Sequence, residues 1–230
     1  MKYKHVFFDL DLTLWDFDKN STEALFEIFN ELELTNSGVT NFDEFVAGYK
    51  IHNEAMWEGY RKGIVTKEQL RTERFDKALL DFGIQDKKLA QKIGDAYLEK
   101  SPFKTHLLPY TIEVLEYLSQ KYTLHIITNG FKEVQFLKLE NTGIRKFFDQ
   151  VITSESAGFK KPDKRIFHYS LYRAKAKTKQ SIMIGDHLDI DVVGARNAGL
   201  DQVYFNPGCK VHKQKVTYEV SSLKTLIEIF

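Results

Sequence analysis

Cysteine occurs once in this chain of 230 residues, at Cys209. No intramolecular disulfide can form, which fits a reducing compartment. No apolar run approaches the ~20 residues of a membrane-spanning helix. The first apolar run, Val6-Phe7-Phe8, is cut by Asp9 and falls far short of a secretory h-region. These absences lead to the expectation of a cytoplasmic protein with no membrane partner. Charge of one sign is also missing: 33 Lys and Arg stand against 32 Asp and Glu, a formal net charge of +1. No basic surplus points to a nucleic-acid polymer and no polybasic run points to an anionic membrane. No internal repeat or low-complexity segment is visible. What remains is an ordinary globular composition, 43% hydrophobic and 28% charged, on a chain long enough to bury a large core.

The most informative stretch present is His5-Val6-Phe7-Phe8-Asp9-Leu10-Asp11-Leu12-Thr13. An apolar strand runs directly into two carboxylates one residue apart. Side chains two apart on an extended backbone share a face, so Asp9 and Asp11 are expected side by side at a strand end. Like charges at that distance are costly unless offset. A hard divalent cation such as Mg²⁺, which prefers oxygen ligands, is the usual remedy.

Beyond this strand (residues 4–9) the helical period dominates from about Phe17 to Ser101. Asn20 with Glu23 reads as a capping box ahead of Ala24, Leu25, Ile28, Phe29 and Leu32. Asn41 with Glu44, Thr66 with Gln69, and Asp86 open three further helices, and Pro102 closes the block. After Pro109 strands alternate with helices. Strands are expected at Thr123–Thr128, Val151–Thr153, Ser181–Gly185 and Gln202–Phe205. Helices are expected near 111–120, 132–141, 164–175, 191–198 and 222–229. The alternation implies an α/β fold: a Rossmann-like parallel sheet covered on both faces. The expected domains are a core of residues 1–15 and 103–230, and a helical insertion of residues 16–102 placed after the first strand. Open sheets of this kind bind ligands at the carboxyl edge.

Polar groups recur at the ends of the apolar strands. Thr128-Asn129-Gly130 offers a hydroxyl and backbone N–H groups suited to an anionic oxygen. In Lys160-Lys161-Pro162, the proline disfavours helix at Lys161 and can hold that lysine in one pose. Gly185-Asp186-His187-Leu188-Asp189-Ile190-Asp191 supplies further carboxylates. Alone, each is commonplace as a turn, loop or helix cap. Together they supply a nucleophilic carboxylate, an acid/base carboxylate, phosphate-binding donors and a metal site, enough for phosphoryl transfer.

In this order the four segments resemble the motifs of the haloacid dehalogenase superfamily of hydrolases, across essentially the whole chain. The resemblance implies that Asp9 is the nucleophile and a metal ligand. Asp11 would be the general acid/base and would offer its backbone carbonyl to Mg²⁺. Thr128 would bind the phosphoryl group with Asn129 and Gly130, and Lys161 would stabilise the phosphoryl charge. Asp186 would ligate Mg²⁺, Asp191 would support the metal shell, and residues 16–102 would be the helical cap. Leu12 stands where many relatives have glycine, and His187 where serine is frequent. Dehalogenase branches lack the second aspartate of the first motif, so Asp11 points to a phosphatase.

The run Asp9-Leu10-Asp11-Leu12-Thr13-Leu14-Trp15-Asp16-Phe17 with Asn20 is similar to the pyrimidine 5′-nucleotidase branch. The expected function is Mg²⁺-dependent hydrolysis of a small phosphorylated metabolite, a nucleoside 5′-monophosphate, by a monomer or homodimer. A sugar-phosphate or phosphoglycolate phosphatase, a phosphomutase and a non-catalytic phospho-acceptor protein are the alternatives. Aromatic residues at helical spacing, Trp57 and Tyr60 among them, are read as core.

Overall fold

The computed structural model describes residues 2–230. They divide into two compact units, residues 2–17 with 105–230, and residues 18–104.

The first unit is built on six parallel strands: β1 (His5–Phe8), β2 (Thr123–Thr128), β3 (Phe148–Thr153), β4 (Ser181–Gly185), β5 (Asp201–Phe205) and β6 (Tyr218–Val220). Their order is β3-β2-β1-β4-β5-β6. The order reverses at β1, so the carboxyl ends of β1 and β4 flank the crevice where doubly wound sheets hold ligands. Strand periodicity divides the core. Val6, Phe8, Leu124, Ile126, Ile182 and Ile184 pack in one apolar cluster, while Phe7, Ile127 and Met183 pack in another. Both faces are buried, which is why these strands read as continuous apolar runs.

The second unit is helical. Its helices are α1 (Phe17–Glu31), whose first residue belongs to the sheet unit, α2 (Phe42–Arg61), α3 (Lys67–Leu80) and α4 (Lys87–Lys100). Three of the four expected starts coincide with observed caps: Asn41 accepts from Asp43 and Glu44 N–H, Thr66 forms a capping box with Gln69, and Asp86 accepts from Lys88 and Leu89 N–H. The fourth does not: α1 begins at Phe17, so Asn20 lies buried inside the helix rather than at its start. An unusual charge sits in this unit. Arg74, 3% exposed, donates to Asn53 Oδ1 at 2.8 Å and lies over the rings of Tyr49, Phe75 and Tyr97.

The remaining helices surround the sheet: α5 (Thr111–Ser119), α6 (Lys132–Asn141), α7 (Ser154–Ala157), α8 (Lys164–Arg173), α9 (Gly194–Asn197) and α10 (Leu226–Ile229). Four details differ from the sequence reading. β3 starts at Phe148 rather than Val151, because Phe148 and Gln150 pair with Leu124 and His125 of β2 across a register shift that skips the polar Asp149. β6 has only three residues and pairs as a sheet edge. The helix expected at 191–198 is a π-helical turn, Leu188–Val193, followed by α9. The closing helix is shorter, with Ser222 capping a 3-10 turn ahead of α10. Where the helical segment leaves and rejoins the sheet unit, Trp15 bridges Leu107, Asp16 N–H donates to His106 O, and Leu108 N–H donates to Leu14 O. Among the described residues, no helix is long and apolar enough to cross a membrane.

Candidate active site

Asp9 follows β1 directly, with its N–H donating to Ile184 O of β4 at 2.9 Å. This ties the first carboxylate to the strand whose end carries the next ones. Asp9, Asp186 and Asp191 each place a carboxylate oxygen within 4.8 Å of the others. Lys161 joins them: its Nζ donates to Asp9 Oδ1 at 2.5 Å and lies 2.6 Å from Asp191 Oδ1. The lysine is 2% exposed and Asp191 1%. Such burial is tolerated for ions only when they are paired.

Backbone devices hold this cluster. The Asn129 side chain clamps the Lys161 peptide at both ends, donating to Lys161 O at 2.9 Å and accepting from Lys161 N–H at 2.8 Å. The site reads Lys161 rather than Lys160 because the clamp grips that residue. Thr13 Oγ1 donates to Asp186 Oδ1 and accepts from Asp186 N–H, both at 3.1 Å. Asp191 sits on the π-helical turn, and its Oδ2 accepts from His187 N–H at 3.1 Å. Gly185 makes room for it, since a Cβ there would lie 2.5 Å from the Asp191 carboxyl group. His187 caps the turn, its Nδ1 accepting from Ile190 N–H.

The electrostatics follow from the burial. Desolvation pushes the Asp9 carboxyl up, opposed by Lys161 and reinforced by Asp191. It pushes Asp186 up as well, with Asp191 and Asp9 adding to the effect. The Lys161 ammonium is raised by Asp191 and Asp9 against desolvation. One cation therefore faces three carboxylates, a deficit of positive charge. Asp191 Oδ1 is buried without an aligned hydrogen-bond donor. An all-oxygen donor set with that deficit fits a hard divalent cation such as Mg²⁺. The residues that could hold it are Asp9, Asp186 and Asp191.

Asp11 lies apart from this cluster. Its Oδ1 accepts from Lys138 Nζ at 2.5 Å and its Oδ2 from Gln135 Nε2 at 3.0 Å. Thr128 Oγ1 donates to Gln135 Oε1 at 3.2 Å and accepts from Gly130 N–H at 3.0 Å. The eight residues singled out in the sequence thus form two neighbouring networks. Asp9, Lys161, Asp186 and Asp191 make one, with Asn129 as its brace. Asp11, Thr128 and Gly130 make the other, through Gln135.

Sequence reasoning did not find Thr13, Gln135 or Lys138. Thr13 lies two residues beyond Asp11 and carried no independent signal. Gln135 and Lys138, three apart on α6, had the spacing of one helix face, but polar side chains on a helix ordinarily face water.

Leu12 adopts φ 62°, the left-handed region that glycine enters freely. The turn therefore holds a leucine in a conformation that L-residues enter only at a cost.

The haloacid dehalogenase-like hydrolase family model matches residues 3–199. The pyrimidine 5′-nucleotidase YjjG of Escherichia coli is 31% identical, with 100% of this chain and 98% of that protein covered. The pyrimidine 5′-nucleotidase PynA of Streptococcus pneumoniae is 32% identical, over 99% and 95%. The crystal structure of the HAD-hydrolase YfnB of Bacillus subtilis, bound to magnesium, superposes with a TM-score of 0.90 at 28% identity, covering 100% of this chain and 99% of that one.

Proposed function

The chain belongs to the haloacid dehalogenase-like hydrolases, and from that premise we propose that it is a Mg²⁺-dependent phosphomonoesterase acting through an aspartyl-phosphate on Asp9. The observation that carries this reading is the buried Asp9–Lys161–Asp191 constellation with Asp186 beside it. It joins a carboxylate nucleophile to a fixed cation and a metal-ligating oxygen set.

In the proposed reaction, an Asp9 carboxylate oxygen attacks phosphorus and the ester P–O bond breaks. Asp11 gives its proton to the departing oxygen. Water then attacks the phosphorus of the aspartyl-phosphate and passes a proton to Asp11. The bond to Asp9 breaks, inorganic phosphate leaves, and both carboxyl groups return to their starting states. Lys161 and Thr128 bind equatorial phosphoryl oxygens, with the turn at Asn129 and Gly130 shaping that pocket. Bound Mg²⁺ would supply charge neutralisation and would be held by Asp9, Asp186 and the Asp11 backbone carbonyl, with Asp191 beside them supporting the metal shell. Lys161 lies close enough to hold Asp9 in one orientation throughout.

The substrate class proposed is a nucleoside 5′-monophosphate with a pyrimidine base. This is supported by the run from Asp9 to Phe17 and by two relatives described as pyrimidine 5′-nucleotidases. We take the helical unit to be the substrate-selecting cap.

Phosphate release from UMP, dUMP, TMP, CMP, AMP, phosphoglycolate and sugar phosphates tests the proposal, with Mg²⁺ and with EDTA. Turnover should require Mg²⁺, favour the pyrimidine nucleotides and fall by at least about a thousandfold in Asp9→Asn, which removes the nucleophile. Turnover that survives in Asp9→Asn refutes the mechanism. A preference for a sugar phosphate or phosphoglycolate refutes the substrate assignment and leaves the mechanism standing.

A further inference from the structure

Of the three α6 side chains that are buried, Gln135, Lys138 and Leu139, two are polar. Lys138 is 3% exposed and Gln135 1%. A buried lysine costs stability unless paired, and apolar residues of similar size commonly do the same packing at no loss. Packing alone therefore does not account for the choice of residues on this face.

Both side chains converge on Asp11. Lys138 takes Oδ1 and Gln135 takes Oδ2, so each carboxylate oxygen has one fixed donor. An ionised carboxylate accepts about four hydrogen bonds. Two positions thus stay free, one to carry the proton that Asp11 gives to the leaving oxygen and one to accept from a water, while rotation of the carboxyl plane is blocked. Lys138 is itself fixed, its Nζ 3.7 Å from the centre of the Trp15 ring. Gln135 is fixed by the Thr128 hydroxyl, so a single amide links the expected phosphoryl-binding side chain to the expected proton carrier. The turn is shaped to this amide: a Cβ at Gly130 would lie 2.2 Å from Gln135 Nε2.

We propose that Gln135 and Lys138 are positioning residues that aim the Asp11 carboxyl group at the leaving oxygen, with Gln135 registering it against Thr128. The proposal rests on the reading of Asp11 as proton donor. Positioning of a proton donor matters most when the leaving oxygen is strongly basic. It therefore predicts a dependence on the leaving group that a structural role for α6 would not produce.

The test compares kcat/KM for p-nitrophenyl phosphate, an aryl ester with a weakly basic leaving group, and glycerol phosphate or UMP, alkyl esters with a strongly basic one. All assays contain Mg²⁺. Lys138→Met and Gln135→Met should each lose roughly 10- to 100-fold on the alkyl ester and less than about threefold on the aryl ester. The loss should fall on kcat rather than KM, and Lys138→Arg should restore most of it. Equal losses on both esters, no loss on either, or a loss confined to KM would overturn the proposal. Should Lys138→Met not fold, Gln135→Met decides, since it keeps the charge pair. Wild type that releases phosphate from neither ester defeats the phosphatase reading and this inference with it. Wild type that cleaves both, beside variants with equal losses, defeats the positioning role alone.

Discussion

Two single residues in the sheet unit make measurable demands on stability. Leu12 holds a left-handed backbone with its side chain 38% exposed. The conformation costs an L-residue roughly 1–2 kcal/mol, and glycine's extra unfolded-state entropy returns about half of that. Leu12→Gly should therefore raise the unfolding free energy in urea by about 0.5–1 kcal/mol; an unchanged or lower value would contradict the strain. His125 is the second case. It is fully buried in β2, stacked on Phe7 and on His5, with His5 Nδ1 and its own Nε2 3.1 Å apart. Burial, assisted by His5 and opposed by Asp149, depresses its imidazole from 6.5 to about 4. The unfolded chain thus binds a proton between those values that the folded chain refuses. Stability is full above about pH 6.5 and declines as pH falls toward 4, by on the order of 3 kcal/mol at the limit. Burial depresses His5 in the same direction. Urea titrations between pH 4 and 7 should show a steeper slope in wild type than in His125→Leu. Parallel curves would remove His125 as the cause.

At the scale of elements, α2 and α3 share the burial of Arg74. No carboxylate forms an ion pair with it among the described residues, and its Nε has no hydrogen-bond partner. The Asn53 carbonyl and three aromatic faces stabilise the charge instead. Asn53→Leu should destabilise the helical unit by on the order of 3 kcal/mol, because it leaves a buried cation short of its oxygen acceptor. A calorimetric or urea-derived change under 1 kcal/mol would show that the rings suffice.

Elements also mark where the sequence was readable. The four strands that bring polar groups to the site were legible because both sheet faces are buried, which makes Phe7-Phe8 or Ile126-Ile127 unmistakable. Asp9 and Lys161 were legible because a strand end and a proline leave few other poses. β6 escaped because Tyr218-Glu219-Val220 gains its strand character only from pairing with β5. The Asn20–Glu23 pattern misled because capping residues can equally be buried in a helix that starts a turn earlier. Gln135 and Lys138 were invisible for a related reason: a helix face records which residues point one way, not whether a carboxylate waits there.

For the molecule as a whole, the acidic cluster sets a conflict between stability and chemistry. Without metal, burial and the neighbouring carboxylates raise the Asp186 and Asp9 carboxyl groups in the folded state, so their ionisation weakens the fold as pH rises above the ordinary carboxylate range. Asp186→Asn should therefore raise Tm in EDTA at pH 7, by roughly 2–4 °C for each kcal/mol of repulsion removed. Mg²⁺ at about a hundred times its Kd should stabilise wild type by about 2.7 kcal/mol and leave Asp186→Asn nearly unmoved. A variant less stable than wild type in EDTA would show that the cluster is not under strain.

The paired backbone bonds at Trp15–Leu107, Asp16–His106 and Leu108–Leu14 have a broader consequence. They close the sheet unit on itself, so that the chain leaving after β1 and the chain returning before α5 are already neighbours. To the sheet unit, residues 18–104 are a single parenthesis. Replacing them with a short glycine linker should leave a folded six-stranded unit, visible as a cooperative melt. The same closure means that the length and sequence of what lies inside the parenthesis can change without moving the two chain ends that the sheet unit holds together.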